Sequence, residues 1–473
     1  MKKRELILGP PGTGKTTSLM DIMEREMNNG VSPQRIAFVS FTRKAAHEAA
    51  SRAMDLFNLK RAYLPYFKTL HSLAFQIHGL RRDEVLQGKN LREIGDLLGL
   101  TFSYRTEIED GLPTSSNRGD RYLFLDGYSR ARCIPPEAAW RTLNDAEELN
   151  WMEFKRFREV LGDYKKKRGL MDFADMLVGC HPLDVEVAIL DEAQDCSSAQ
   201  WKMFWEVFGR AKRIYVAGDD DQAIYAWAGA DVETFQNLKG FNRTVLHKSH
   251  RVPAEVHKVA SSIAERIAHR YPKEYKPKLD RGLVEFCRQP DDVNLKDIEG
   301  TWLLLSRNAY YLKELVAMVR SQGIPYSYRG EPGINQDHVR AIKFWERQRR
   351  GGSLAPDEVR SVREFLPKGA PFSQLIWHEA LTKIPFADRE FYISLLRSGE
   401  SLTAIPRVNI STIHGVKGGE ADNVLMLTDM TPKTMETYSV DPDNEHRVFY
   451  VGATRTKERL FVVEPMTGRG YDV

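Results

Sequence analysis

Gly9-Pro10-Pro11-Gly12-Thr13-Gly14-Lys15-Thr16 decides the fold. The run satisfies GxxxxGK[ST] and follows directly on the apolar stretch Leu6-Ile7-Leu8, the strand-then-loop context that this pattern demands. Glycines let backbone N–H groups close around phosphate oxygens, and Lys15 adds a positive charge at the β and γ positions. The Thr16 hydroxyl can ligate Mg²⁺ at the start of the following helix. An ordinary glycine turn gives no reason for Lys15 and Thr16 to follow at this spacing.

Further along, Ile189-Leu190-Asp191-Glu192-Ala193-Gln194-Asp195 puts two carboxylates at the end of an apolar run, where open α/β sheets bind ligands. Asp191 is expected to hold Mg²⁺ directly or through water. Glu192 is expected to orient, or take a proton from, the water that attacks the γ-phosphorus. A third run ends before Gly218-Asp219-Asp220-Asp221-Gln222, so the Gln222 amide can sense a γ-phosphate. Tyr225 and Trp227, two residues apart, would present aromatic faces on one side of an extended segment for stacking bases. Core packing is the competing explanation for these two rings.

Outward from these motifs, short apolar runs rich in β-branched residues recur in two sets. One comprises 6–8, 36–39, 187–190 and 214–217, and the other 302–305, 424–427 and 460–463. Alternation with helical segments such as 43–56 predicts two α/β units with parallel, doubly wound sheets. Residues 81–176 and 331–403 break the rhythm and read as mainly helical insertions. The first carries seven cations between Lys155 and Arg168 against Glu153, Glu159 and Asp163, a pattern that by itself describes a solvated face.

Length and composition agree. The chain has 473 residues, enough for about three domains, with 42% hydrophobic and 28% charged residues, which argues against wholesale disorder. A net charge of +4 permits a nucleic-acid partner without requiring one. Four dispersed cysteines with no CxxC pair give no disulfide framework and no thiolate zinc site. No apolar run approaches the ~20 residues needed to span a bilayer, and a cytoplasmic location is expected.

Taken in order, the motifs resemble those of the UvrD/Rep-type superfamily-one DNA helicases, in a compact form, from residue 6 to residue 463. Phe41-Thr42-Arg43-Lys44-Ala45-Ala46 is similar to motif Ia of that family and Lys68-Thr69-Leu70-His71-Ser72 to motif Ib. Ser249-His250-Arg251 stands in the place of motif IV. Ser411-Thr412-Ile413-His414-Gly415-Val416-Lys417-Gly418-Gly419-Glu420 looks like motif V, and the run from Glu445 to Arg455 like motif VI.

The resemblance implies two RecA-like motor domains of the P-loop NTPase class. The first would span 1–80 plus 177–245 and the second 246–330 plus 404–473, with insertions at 81–176 and 331–403. It implies single-stranded DNA and single/double-strand junctions as partners, contacted by Thr42, Arg43, Thr69, His71, Tyr225, Trp227, Thr412, His414 and Lys417. ATP or another NTP with Mg²⁺ would be held by residues 9–16, with Thr17 adjoining and Glu420 near the ribose. Arg251 would reach the γ-phosphate. Arg455 would be an arginine finger, worth about 10³–10⁵ in rate in related phosphoryl-transfer enzymes. Taken singly, Thr42 and Thr69 can equally cap helices, His414 can be a core histidine, and the two arginines can be surface charges.

The implied activity is a 3′–5′ DNA helicase or translocase driven by NTP hydrolysis, with roles in repair or replication. The alternative is a DNA-stimulated NTPase switch, or a protein-displacing translocase, without strand separation. A nucleotide kinase would need only the phosphate loop and leaves Asp191, Glu192 and Gln222 unexplained. Thr17 stands where the family commonly has an arginine, His250 where it has a stacking tyrosine, and only five residues precede Leu6. Relaxed preference among NTPs is therefore expected.

Overall fold

The computed structural model describes residues 3–103, 108–109, 112–113, 117–143 and 149–473. They divide into two compact units, the first comprising Met1–Val252, Ile263–Leu279 and Thr437–Tyr450, the second Pro253–Ser262, Asp280–Glu436 and Val451–Val473.

The first unit is built on a six-stranded parallel sheet. Its strands, in spatial order, are Phe67–Thr69, Ile36–Ser40, Val187–Asp191, Arg213–Gly218, Lys3–Leu8 and Asn242–Val245. Every residue of the 36–40 and 187–191 strands is buried, because helices cover both faces of the sheet. Alternate side chains feed two cores. Leu6, Leu8, Val39, Leu190 and Val216 pack with Trp201, Phe204 and Phe208 on one face. Ile7, Phe38, Ile189 and Tyr215 pack with Leu19, Met23, Ala49 and Ala53 on the other. The two edge strands escape the apolar-run signal: Phe67–Thr69 is three residues long, and Asn242–Val245 is largely exposed.

Between the 67–69 and 187–191 strands lie the helices Gly88–Leu98, Arg118–Ala131, Pro136–Leu143 and Trp151–Arg168. They close over a core of their own around Ile94, Phe102, Tyr122, Leu125, Phe154, Phe157 and Leu161. At its base Arg130 and Lys165 meet Asp172 and Asp175, with Lys165 Nζ 2.5 Å from Asp172 Oδ2 and 2.7 Å from Asp175 Oδ2.

The second unit has a seven-stranded sheet. Its order is Glu331–Pro332, Tyr326–Tyr328, Val408–Thr412, Trp302–Ser306, Ala421–Leu427, Thr456–Val463 and Leu283–Cys287, with only the first pair antiparallel. Helices Gln336–Arg349, Pro356–Phe365 and Phe386–Arg397 put Trp345, Val362, Phe391 and Leu395 into the same core as Trp302, Leu304 and Phe461. After its opening strand Glu331–Pro332 the 331–403 stretch is thus mainly helical and shares its sheet's core, whereas the first insertion has a separate one. Among the described residues no helix is long and apolar enough to cross a membrane.

Candidate active site

The phosphate loop runs from the end of the Lys3–Leu8 strand into the helix Lys15–Asn28. Gly12 and Gly14 have φ of +74° and +82°, the left-handed region that glycine enters without a Cβ penalty. Gly14 is the helix N-cap, so the helix opens with its first N–H groups turned toward the loop. The Lys15 ammonium folds back and donates to the Gly9 carbonyl at 2.7 Å. Thr13 Oγ1 donates to the Pro10 carbonyl at 2.8 Å, closing the loop internally.

Two strands away, Thr16 Oγ1 donates to Asp191 Oδ2 at 3.3 Å, bringing together the two residues expected to hold Mg²⁺. Asp191 is 2% exposed. Burial and then the neighbouring Glu192 push its carboxyl up to about 7, while Lys15 pulls the other way. A buried carboxylate with so little compensation, facing a hydroxyl that can also ligate, suits a hard divalent cation. Glu192 sits at φ +53°, and its N–H donates to Asp191 Oδ1 at 2.9 Å. That turn directs the two carboxylates differently although they are adjacent in sequence.

Gln194 links this strand end to the next. Its Nε2 donates to Glu192 Oε2 at 2.5 Å, and its Oε1 accepts the Asp219 N–H at 3.1 Å. A Cβ on Gly218 would lie 2.5 Å from that same Oε1, so the amide fits only beside a glycine. Gln222, in the turn Asp220–Gln222, donates Nε2 to Asp219 Oδ2 at 2.7 Å. Lys15, Thr16, Asp191, Glu192 and Gln222 therefore come from the carboxyl ends of three adjacent parallel strands of one sheet.

Residues 249–251 pass over the loop. His250 N–H donates to the Gly12 carbonyl at 2.8 Å, Ser249 Oγ donates to the Pro11 carbonyl at 2.9 Å, and so does the Tyr275 hydroxyl at 2.9 Å. A Cβ on Gly12 would come 2.5 Å from Arg251 Cβ, so the Arg251 backbone is pressed against the loop. Ser249, Tyr275, Gln194 and Lys273 were not singled out by sequence reasoning. The available signal was the run of three aspartates, which cannot be buried without cations.

Those cations are Lys273 and Arg270. Lys273 Nζ lies 2.7 Å from Asp219 and 3.0 Å from Asp221 and also contacts Asp220, and Arg270 Nη2 lies 2.6 Å from Asp221. Arg447, from the helix Pro442–Ala453, donates Nε to the Asp220 carbonyl at 3.0 Å.

Among the residues expected to meet DNA in this unit, Thr42 caps the helix Arg43–Phe57 and accepts the Ala45 N–H at 3.2 Å. Thr69 caps Leu70–Ile77 through the Ser72 N–H at 3.2 Å. The capping explanation thus holds for both, and each cap sits at the carboxyl end of a strand. Arg43 is exposed in the first turn of its helix. His71 lies edge-on to Phe173 at 5.8 Å, and burial lowers its pKa, which favours the neutral ring. Tyr225 and Trp227 are half-buried, and the backbone between them is a 3₁₀ turn, Ala226–Ala228, rather than extended. The turn sets their rings at 68° with centroids 6.0 Å apart, and Tyr225 stacks on Phe41 at 5.2 Å.

In the second unit, Thr412 ends its strand and Thr412 Oγ1 accepts the Gly415 N–H at 3.2 Å, shaping the short turn that carries His414. Lys417 follows at the end of that turn. Glu420 pairs with Lys457 at 2.9 Å. Arg455 is 2% exposed; its Nη1 donates to the Gly419 carbonyl at 3.3 Å and its Nε to the Val451 carbonyl at 3.0 Å. It is therefore no loose surface charge, and it is tied to the segment that carries Glu420.

The sequence model of the UvrD/REP helicase N-terminal domain matches residues 1–241, and that of the UvrD-like helicase C-terminal domain matches residues 389–465. The ATP-dependent DNA helicase Rep of Buchnera aphidicola subsp. Baizongia pistaciae is 26% identical over 325 residues, covering 64% of this chain and 47% of its own. A probable DNA helicase of Mycoplasma pneumoniae is 24% identical over 492 residues, covering 96% and 79%. DNA helicase II of Haemophilus influenzae is 27% identical over 288 residues, covering 53% and 37%. The chain spans less than half the length of the Buchnera and Haemophilus proteins. With one of the two matching models covering more than half of its residues, the chain belongs to the UvrD/Rep helicase family.

Proposed function

We propose that the protein is an ATP-dependent DNA helicase or translocase that moves 3′ to 5′ on single-stranded DNA and separates duplex at single/double-strand junctions. The observation that carries the reading is the convergence of Lys15, Thr16, Asp191, Glu192 and Gln222 on adjacent strand ends. The domain plan is two RecA-like motors, 1–80 plus 177–245 and 246–330 plus 404–473, with insertions at 81–176 and 331–403. The names of the relatives, DNA helicases all, support the substrate class.

In this reading residues 9–16 bind the phosphates, with Thr17 adjoining, and Glu192 orients or deprotonates the attacking water. Gln222 and Arg251 respond to the γ-phosphate. Arg455 contributes transition-state charge, and Glu420 approaches the ribose. Thr16 and Asp191 would hold Mg²⁺, which when bound neutralises phosphate charge. Thr42, Arg43, Thr69, His71, Tyr225, Trp227, Thr412, His414 and Lys417 grip the strand. Thr17 is exposed, with no arginine in its place to hold a base, which supports relaxed NTP preference.

The test is hydrolysis with and without single-stranded DNA, together with unwinding of 3′- and 5′-tailed duplexes. Wild type, Lys15→Ala and Arg455→Ala are compared. DNA-stimulated hydrolysis and unwinding of the 3′-tailed duplex, both abolished in the variants, are expected. Unwinding of only the 5′-tailed duplex rejects the polarity. Stimulated hydrolysis without unwinding marks a switch or protein-displacing translocase, and hydrolysis indifferent to DNA rejects the motor.

A further inference from the structure

Asp219, Asp220 and Asp221 converge as a cation cage does, one oxygen of each lying within 4.8 Å of the others. The cation here belongs to the chain. The Lys273 ammonium sits among all three, and its side chain is wholly buried. Burial opposes the charge on Lys273, and the three carboxylates outweigh it, raising the pKa.

The three aspartates divide their oxygens. Asp221 faces Arg270 in a two-point contact, Oδ1 to Nε at 2.9 Å and Oδ2 to Nη2 at 2.6 Å. Asp220 Oδ2 accepts the Tyr271 N–H at 2.6 Å and Gln236 Nε2 at 2.9 Å. Asp219 gives Oδ1 to Lys273 at 2.7 Å and Oδ2 to Gln222 Nε2 at 2.7 Å. An ionised carboxylate only accepts, so the nitrogen end of the Gln222 amide must face it, and the carbonyl oxygen is the end turned away. One of the two amide N–H groups is thereby committed to Asp219, the other can still reach a phosphate oxygen, and the carbonyl oxygen is the end that accepts a hydrogen from water. Two residues beyond Lys273, the Tyr275 hydroxyl donates to the Pro11 carbonyl in the phosphate loop. Residues 270–275 thus brace both the loop and the Gln222 turn.

We propose that Lys273 is a positioning residue for hydrolysis, its buried ammonium fixing Asp219 so that the Gln222 amide presents its oxygen to the attacking water. The inference rests on the placement of Gln222 beside the transferred phosphate, and it adds how that amide is oriented and by what.

The test is a double-variant cycle in the full chain, with kcat and KM for ATP measured at saturating single-stranded DNA. Lys273→Met, Asp219→Asn and Gln222→Ala are compared singly, and each of the first two is combined with the third. Lys273→Met and Asp219→Asn should each lower kcat by about tenfold or more, with KM within about threefold. In the Gln222→Ala background either change should cost less than about twofold further, because the residue it positions is gone. A kcat within about twofold of wild type, or a loss that persists in full on top of Gln222→Ala, overturns the proposal. If Lys273→Met does not yield folded protein, Asp219→Asn, which leaves Lys273 two carboxylates, decides by the same criteria. Lys15→Ala run alongside separates the cases: if it hydrolyses ATP normally, the reading of the active site fails rather than the role of Lys273.

Discussion

The Gln194 side chain holds the Glu192 carboxylate at 2.5 Å with one end and accepts the Asp219 N–H at 3.1 Å with the other. One amide therefore sets both the proposed water-orienting carboxylate and the start of the Gln222 turn. Gln194→Leu keeps the bulk and loses both bonds, leaving a buried N–H without its acceptor at a cost of about 1–3 kcal/mol. We expect kcat to fall about tenfold or more and urea unfolding to move to lower concentration. Gln194→Glu, which sets a second carboxylate against Glu192, should be worse in both assays. Wild-type kcat in Gln194→Leu would show that Glu192 needs no such support.

Gly12 carries two constraints at once, a φ of +74° and a Cβ position 2.5 Å from Arg251 Cβ. Gly30, at φ +88° with nothing within 4 Å of its Cβ position, carries only the first. Gly30→Ala should therefore cost about 1–2 kcal/mol of stability, the left-handed penalty alone, and leave nucleotide binding intact. Gly12→Ala should displace the 249–251 segment from the phosphate loop and weaken binding of a fluorescent nucleotide at least about tenfold. Equal binding by the two variants would mean that the contact with Arg251 does not shape the loop.

Where the sequence was legible, the reason was local. The phosphate loop, the Asp191-Glu192 pair and the strands 36–40 and 187–191 announce themselves because spacing, apolar runs and flanking glycines fall within ten residues of one another. The edge strand Asn242–Val245 was not legible, since an exposed edge needs no apolar pattern. Tyr225 and Trp227 were found as a pair, but their relative orientation depends on a 3₁₀ turn and on the ring of Phe41, far away in sequence. Lys273 and Tyr275 lay beyond reach for the same reason. Their partners, Asp219 to Asp221 and Pro11, are brought to them by the sheet and not by any spacing.

Asp172 lies at the base of the first insertion with Arg130 and Lys165 against it. Burial works to raise its pKa, but the two cations override it and hold the carboxyl at about 2. A folded-state value below the unfolded value of about 3.9 means that its contribution is complete above about pH 4–5 and fades as pH falls toward 2. The shift corresponds to about 2 kcal/mol at neutral pH. Asp172→Asn keeps the side-chain oxygen that caps the helix Phe173–Met176 and removes the charge. It should lose about that much stability at pH 7 and show a shallower decline between pH 4 and pH 2 in denaturant titrations. An unchanged acid limb would assign that limb to other carboxylates.

Trp227 and Tyr225 separate two ways in which an aromatic can serve a strand of DNA. Tyr225 has one face against Phe41 at 5.2 Å, which makes it a wall, while Trp227 meets it edge-on at 6.0 Å. A ring already stacked on a protein neighbour has less face to offer a base, so under the proposed function Trp227 is expected to take the larger share of base stacking. Stacking of one base on an aromatic is worth about 1–3 kcal/mol, or roughly 5- to 150-fold in affinity. Trp227→Ala should lose affinity for a single-stranded oligonucleotide within that range, measured by fluorescence anisotropy at fixed salt. Hydrolysis without DNA should remain close to wild type. Phe41→Ala should give a smaller loss of affinity, because it frees Tyr225 without removing a stacking face, together with a drop in stability from the lost ring contact. A Phe41→Ala defect as large as that of Trp227→Ala would reverse the assignment and make the Phe41–Tyr225 stack the principal base contact.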